Sequence, residues 1–125
     1  MIKYLLFAQV VIHVLLGFVL FLFPDIMLTT KNKDAVNLIS VSAILLCVTA
    51  LLLFMLIHKF EYNAEGKRLL LYMMMYNFIM GLHFYKMYSE STVSILGFLI
   101  FIILAGSMIV GYYFDINKFS KNSEE

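Results

Sequence analysis

Few side chains in this sequence can do chemistry: three histidines (His13, His58, His83), one cysteine (Cys47) and the amides Gln9 and Asn77, nearly all set in apolar surroundings. A buried imidazole can relay protons, ligate a metal or haem, or hydrogen-bond a quinone, and it is costly unless its nitrogens are bonded. Gln9, His13 and Gly17 recur every fourth residue, which puts them on one helical stripe. At about 1.5 Å per residue in antiparallel helices, His13 and Asn77 both lie about 15 Å from the same end. Cys47 falls at a similar depth, and Gln9 sits one turn nearer that end, level with Ser107. Gln9, His13 and Asn77 are therefore the candidate ligand-binding set. The structural alternative is mutual hydrogen bonding that links helices.

Other chemistries fail on geometry. His83 lies about 9 Å further along the helix direction than His13, whereas two axial haem ligands must meet at one iron. The run Met73-Met74-Met75 aims its sulfurs about 100° apart on a helix, so the three cannot converge on one soft metal ion. Adaptable packing suits them better. Cys47 has no base within reach except His13, and a thiol in apolar surroundings is inert. No Ser/His/Asp set, phosphate loop or zinc spacing occurs, so no catalytic residue, metal or cofactor is expected.

The elements that hold these groups follow from composition. Hydrophobic residues make up 63% of the 125 and charged residues 14%, against about 45–50% and about 25% in soluble domains. A chain this short cannot bury such an excess in its own core, but a bilayer can act as its solvent. Four apolar stretches, 2–23, 36–58, 67–88 and 93–114, each match the length of about 20 helical residues that crosses a hydrocarbon core. The expected fold is all-α: an integral membrane, antiparallel four-helix bundle in one domain, with a frayed polar tail at 115–125.

Local signals divide the spans. Pro24 closes the first, and Phe23-Pro24-Asp25 offers no small-residue cleavage site, so span one is expected to be retained. Asp34 is the expected N-cap of span two. The short turn Ser89-Glu90-Ser91-Thr92 makes spans three and four a tight hairpin. Lys3, Lys59, Lys67, Arg68, Lys118 and Lys121 fall on one side of the membrane and Lys31, Lys33 and Lys86 on the other. Six against three favours a multi-pass protein of the cell membrane with both termini cytoplasmic. Net charge is +1 without a basic patch, which leaves no footprint for nucleic acid.

Helix contacts within a bilayer favour small or polar side chains. The packing stripes read from the sequence are Gln9, His13 and Gly17 in span one; Ser40, Ala43, Cys47 and Ala50 in span two; Asn77 and Gly81 in span three; and Gly97, Leu104, Ser107 and Gly111 in span four. No Asp, Glu, Lys or Arg lies in the interior of any span, since Lys3, Lys67, Arg68 and Lys86 all fall within a turn of a span end. Lys86 and Asp115 stand at helix ends, from which they can snorkel to the interface. Proton-coupled transport through an intramembrane carboxylate is thereby disfavoured.

A first span closed by Phe23-Pro24, a small-residue second span, and a span-three/span-four hairpin carrying Asn77 and His83 give the chain a layout similar to that of small bacterial four-helix membrane proteins of the DoxX-like group. The resemblance implies an accessory membrane protein and assigns no functional residue. The leading expectation is a non-enzymatic protein acting by association, as an accessory, assembly or pore-forming subunit. Its partners would be the lipid bilayer and a homo-oligomer or larger membrane complex. The alternative is a quinone- or lipid-binding protein with its site around Gln9, His13 and Asn77.

Overall fold

Proline restricts the residue before it and cannot continue a helix, and helix α1 (Ile2–Leu22) stops just short of Pro24. The Phe23 N–H still bonds the Val19 carbonyl at 2.8 Å, and Pro24–Ile26 then forms a single 3-10 turn. The computed structural model describes residues 1–29 and 32–123, without the side chains of 122 and 123. Thr30, Lys31 (one of the three lysines counted on the minority side), Glu124 and Glu125 lie outside the described residues.

Three further helices follow: α2 (Lys33–Ile57), α3 (Ala64–Ser89) and α4 (Leu96–Ser123). Asn32 rather than Asp34 caps α2: its side chain accepts the Asp34 N–H at 3.0 Å, and Asp34 occupies the first turn, where its charge suits the helix dipole. Asn63 caps α3 in the same way, accepting the Gly66 N–H at 3.0 Å, so that helix starts three residues before the expected 67.

The turn after α3 is longer than the sequence suggested. Residues 92–94 do not enter α4 but pair with the first loop, the Thr29 N–H donating to the Thr92 carbonyl (3.0 Å) and the Ser94 N–H to that of Met27 (2.8 Å). This short antiparallel bridge, Leu28 opposite Val93, buries Met27 and Val93 and delays α4 to Leu96. At the other end the tail is helical as far as Ser123 instead of frayed, because Asp115 and Phe119 are buried against the start of α1 and the α2–α3 loop.

Helix α1 packs along α2 and α3 along α4, and the two hairpins meet chiefly through α1 and α4. Glycines mark the closest approaches. A Cβ on Gly17 would stand 2.5 Å from Cys47 Sγ and 3.0 Å from the Ala43 carbonyl, and one on Gly97 would enter the Phe84 ring. Two apolar clusters fill the bundle. One gathers Leu20, Leu46, Phe84 and Phe101 beneath the bridge; the other gathers Leu6, Leu53, Met73 and Met108 towards the termini. Outside, large apolar side chains are exposed on every helix, among them Leu15, Leu51, Ile79 and Ile103. Helices α1, α2 and α4 are long and apolar enough to cross a membrane. Helix α3 has the length, at 26 residues, but Lys67, Arg68, Asn77, His83 and Lys86 dilute its apolar character.

Candidate functional site

Between the two apolar clusters lies a thin polar layer. Gln9 and His13 share the inward stripe of α1, and Asn77 faces them from α3; the three are 1%, 1% and 0% exposed. Asn77 Nδ2 donates to Gln9 Oε1 at 2.9 Å, and Gln9 Nε2 donates to the Leu104 carbonyl of α4 at 3.1 Å. One amide thus ties α1 to both helices of the other hairpin. The same carbonyl accepts the Ser107 hydroxyl at 2.7 Å, at the level the depth count gave for Ser107.

His13 turns back on its own helix. Its Nδ1 lies 2.6 Å from the Gln9 carbonyl. A carbonyl only accepts, so Nδ1 carries the proton and a neutral imidazole leaves Nε2 as a bare acceptor. That Nε2, Asn77 Oδ1 and the Tyr76 hydroxyl are all buried without a formed hydrogen bond. Tyr76 and Phe101 enclose the imidazole, with ring centroids 5.7 and 6.1 Å away. Asn77 lies beside His13 and Thr49 beside Tyr76, so each of these groups has a polar neighbour within the layer.

The other stripe residues fall at helix contacts. Gly17, Ala43 and Cys47 form the α1–α2 crossing, so Cys47 faces glycine rather than the polar layer. Gly81 meets Phe101 and Ile102, Gly97 meets Phe84, and Gly111 meets Leu5 and Ile2. Ser40 is only half-buried and bonds its own Val36 carbonyl at 3.0 Å. The serine that reaches across is Ser42: its hydroxyl donates to Leu38 (2.9 Å) and lies 3.2 Å from His83 Nε2, linking α2 to α3. Spacing alone ranked Ser40 with Ala43 and Cys47; a shift of two residues separates the hairpin seam from the α3 side.

The residue that sequence reasoning missed is Asp115. It does not snorkel but is 5% exposed, with Oδ2 accepting the Ile2 N–H at 2.9 Å and the Tyr62 hydroxyl at 3.2 Å. The amino-terminal ammonium at 3.3 Å and Lys118 at 3.4 Å supply positive charge. Tyr62 belongs to the same knot, edge-on to Phe60 and Phe119 and under the Lys118 ammonium. Burial first, and then the Asp115 carboxylate, push the Tyr62 hydroxyl above its usual value, so it stays a donor at neutral pH. A carboxylate within reach of the first N–H groups of α1 was the available signal, but it requires knowing that α1 starts where α4 ends.

Among the described residues no group of three His, Cys, Asp or Glu side chains is arranged to hold a metal ion. The grooves along the molecule run over its outer faces, between α1 and α2, α2 and α3, and α3 and α4, and none of those described is lined by Gln9, His13 or Asn77. No family model, curated protein or solved structure matches the chain.

Proposed function

We propose that the chain is a multi-pass membrane protein, with all four helices crossing the bilayer and both termini cytoplasmic, that works by association as an accessory or assembly subunit. The observation that carries this reading is the closure of the polar layer. The hydrogen bonds that Gln9, His13 Nδ1 and Asn77 Nδ2 make all stay within the bundle, to one another and to Leu104, and the three residues are buried. What remains available to a partner is the outer surface, where large apolar side chains crowd each helix. Contiguous apolar surface on this scale marks contact with lipid or protein.

The donors and acceptors of the layer narrow the alternative reading. A quinone presents carbonyl oxygens, which need donors, whereas His13 Nε2 and Asn77 Oδ1 only accept. The donors left for a quinone oxygen are the Tyr76 hydroxyl and the second N–H of each amide, none of them on a described groove.

A photoreactive residue placed in turn at Leu51, Ile79 and Ile103 tests association. Irradiation in native membranes should give a discrete higher-mass product from one helix face and lipid adducts from the others. Lipid adducts alone from all three faces contradict the association reading.

A further inference from the structure

The α3–α4 groove nearest the termini has a composition that its role in packing does not explain. It has a volume of about 460 Å³, within the range of small-molecule sites. Its walls are apolar, with Leu71, Met74 and Ile109 among them, and it opens sideways on the outer face of the bundle. At its mouth stand Lys67 and Arg68, both exposed, in the first turns of α3. Lys67 Nζ lies 5.7 Å from the centre of the Tyr112 ring, which holds it over the groove.

These two cations have no carboxylate within ion-pair distance among the described residues. Among the described residues the ion pairs all fall on Asp115, from the amino terminus and Lys118. Arg68 also borders the neighbouring α2–α3 groove, whose lining carries both Lys59 and Glu65, whereas the α3–α4 groove is lined by no carboxylate. Two unpaired cations above a greasy slot are the complement of one kind of molecule, an anionic head on an apolar chain.

We propose that the α3–α4 groove is a binding site for an anionic phospholipid, its phosphate held by Lys67 and Arg68 and one acyl chain laid along Leu71, Met74 and Ile109. Arginine can grip phosphate oxygens through two parallel hydrogen bonds, and lysine adds a point charge. Basic pockets between helices at the membrane surface are suited to such headgroups. A free phosphate would use the cations but leave the apolar walls uncovered. The site rests on the membrane reading above and is independent of association with a protein partner.

The test is native mass spectrometry of the full chain in detergent with phosphatidylglycerol and phosphatidylcholine of matched chains. The wild type should retain phosphatidylglycerol at least about tenfold better, as expected for two cations near a membrane surface. K67Q/R68Q should lose that preference while still retaining both lipids weakly, whereas K3Q/K33Q, which removes two exposed lysines elsewhere, should keep it. Ile109→Trp, which blocks the slot and leaves the cations, should lower phosphatidylglycerol retention as well. Equal retention of the two lipids by the wild type, or an undiminished preference in K67Q/R68Q, overturns the site and leaves the membrane reading standing. Retention of neither lipid overturns both. Displacement of phosphatidylglycerol by millimolar inorganic phosphate shows that the cations bind phosphate without the chain, and also overturns the proposal.

Discussion

Asn77 Nδ2 and Gln9 Oε1 make a buried side-chain hydrogen bond that links α1 directly to α3, and a double-mutant cycle can isolate its energy. Replacing either with leucine strands the other in an apolar core. Replacing both removes the need for the bond. A double-mutant cycle on thermal unfolding in lipid should give a coupling of about 0.6 kcal/mol, the average for polar pairs in bilayers. Additive single and double variants mean that the bond contributes nothing. Asp115→Leu should be more damaging, since it strands the Ile2 N–H and the Tyr62 hydroxyl together. Hydrogen bonds to a charged group are worth about 1.5–3 kcal/mol, and a melting point unchanged from wild type would show that water replaces the carboxylate freely. These two sites differ in how legible they were. Gln9, His13 and Asn77 could be grouped from sequence because helical period and depth are fixed by geometry alone. Asp115 could not, because a carboxylate at a helix end ordinarily reaches water. Only the docking of α1 and of the 60–62 loop removes that water.

The helix seams turn on where a side chain is missing. Phe84 is fully buried and stacked on Phe101 at 5.3 Å, so it has no room to yield to a side chain at position 97. Gly97→Leu should overpack the α3–α4 seam and cost about 1–3 kcal/mol in a denaturation series. Gly106, one helical stretch further on, has nothing within 4 Å of a built Cβ. Gly106→Ala should therefore gain about 0.5–1 kcal/mol through helix propensity alone. If the two substitutions behave alike, the assignment of the seam fails. Helix identity and number were readable from the lengths of the apolar runs, which exceed any buried strand. The ends were not. The 89–92 turn carries cap-forming residues, but backbone pairing with the first loop takes 92–94 out of reach of α4. The polar tail looked frayed because its anchors, Asp115 and Phe119, are two residues among many charged ones.

Across the whole molecule, α1, α2 and α4 have the length and composition to cross a membrane, and α3 is the helix on which the four-span reading depends. Its polar residues Asn77 and His83 face protein, bonded to Gln9 and Ser42, while Leu71, Phe78 and Ile79 face outward. That division is what the proposed crossing of α3 requires, since a bilayer would then meet chiefly apolar side chains between the charged ends of the helix. The proposed orientation, with both termini cytoplasmic, rests on the Lys/Arg asymmetry of the sequence. A reporter active only outside the cytoplasm should stay silent when fused after Glu125, and activity there would reverse the assignment. The crossing of α3 itself is tested by single cysteines at Glu61, Glu90 and Ser120 in a Cys47→Ser background, probed with a membrane-impermeant thiol reagent on intact cells and on opened cells. Four spans predict that position 90 reacts from outside, while positions 61 and 120 react only once the cells are opened. Positions 61 and 90 reacting from the same side would contradict the account, because α3 would then lie against the membrane instead of crossing it.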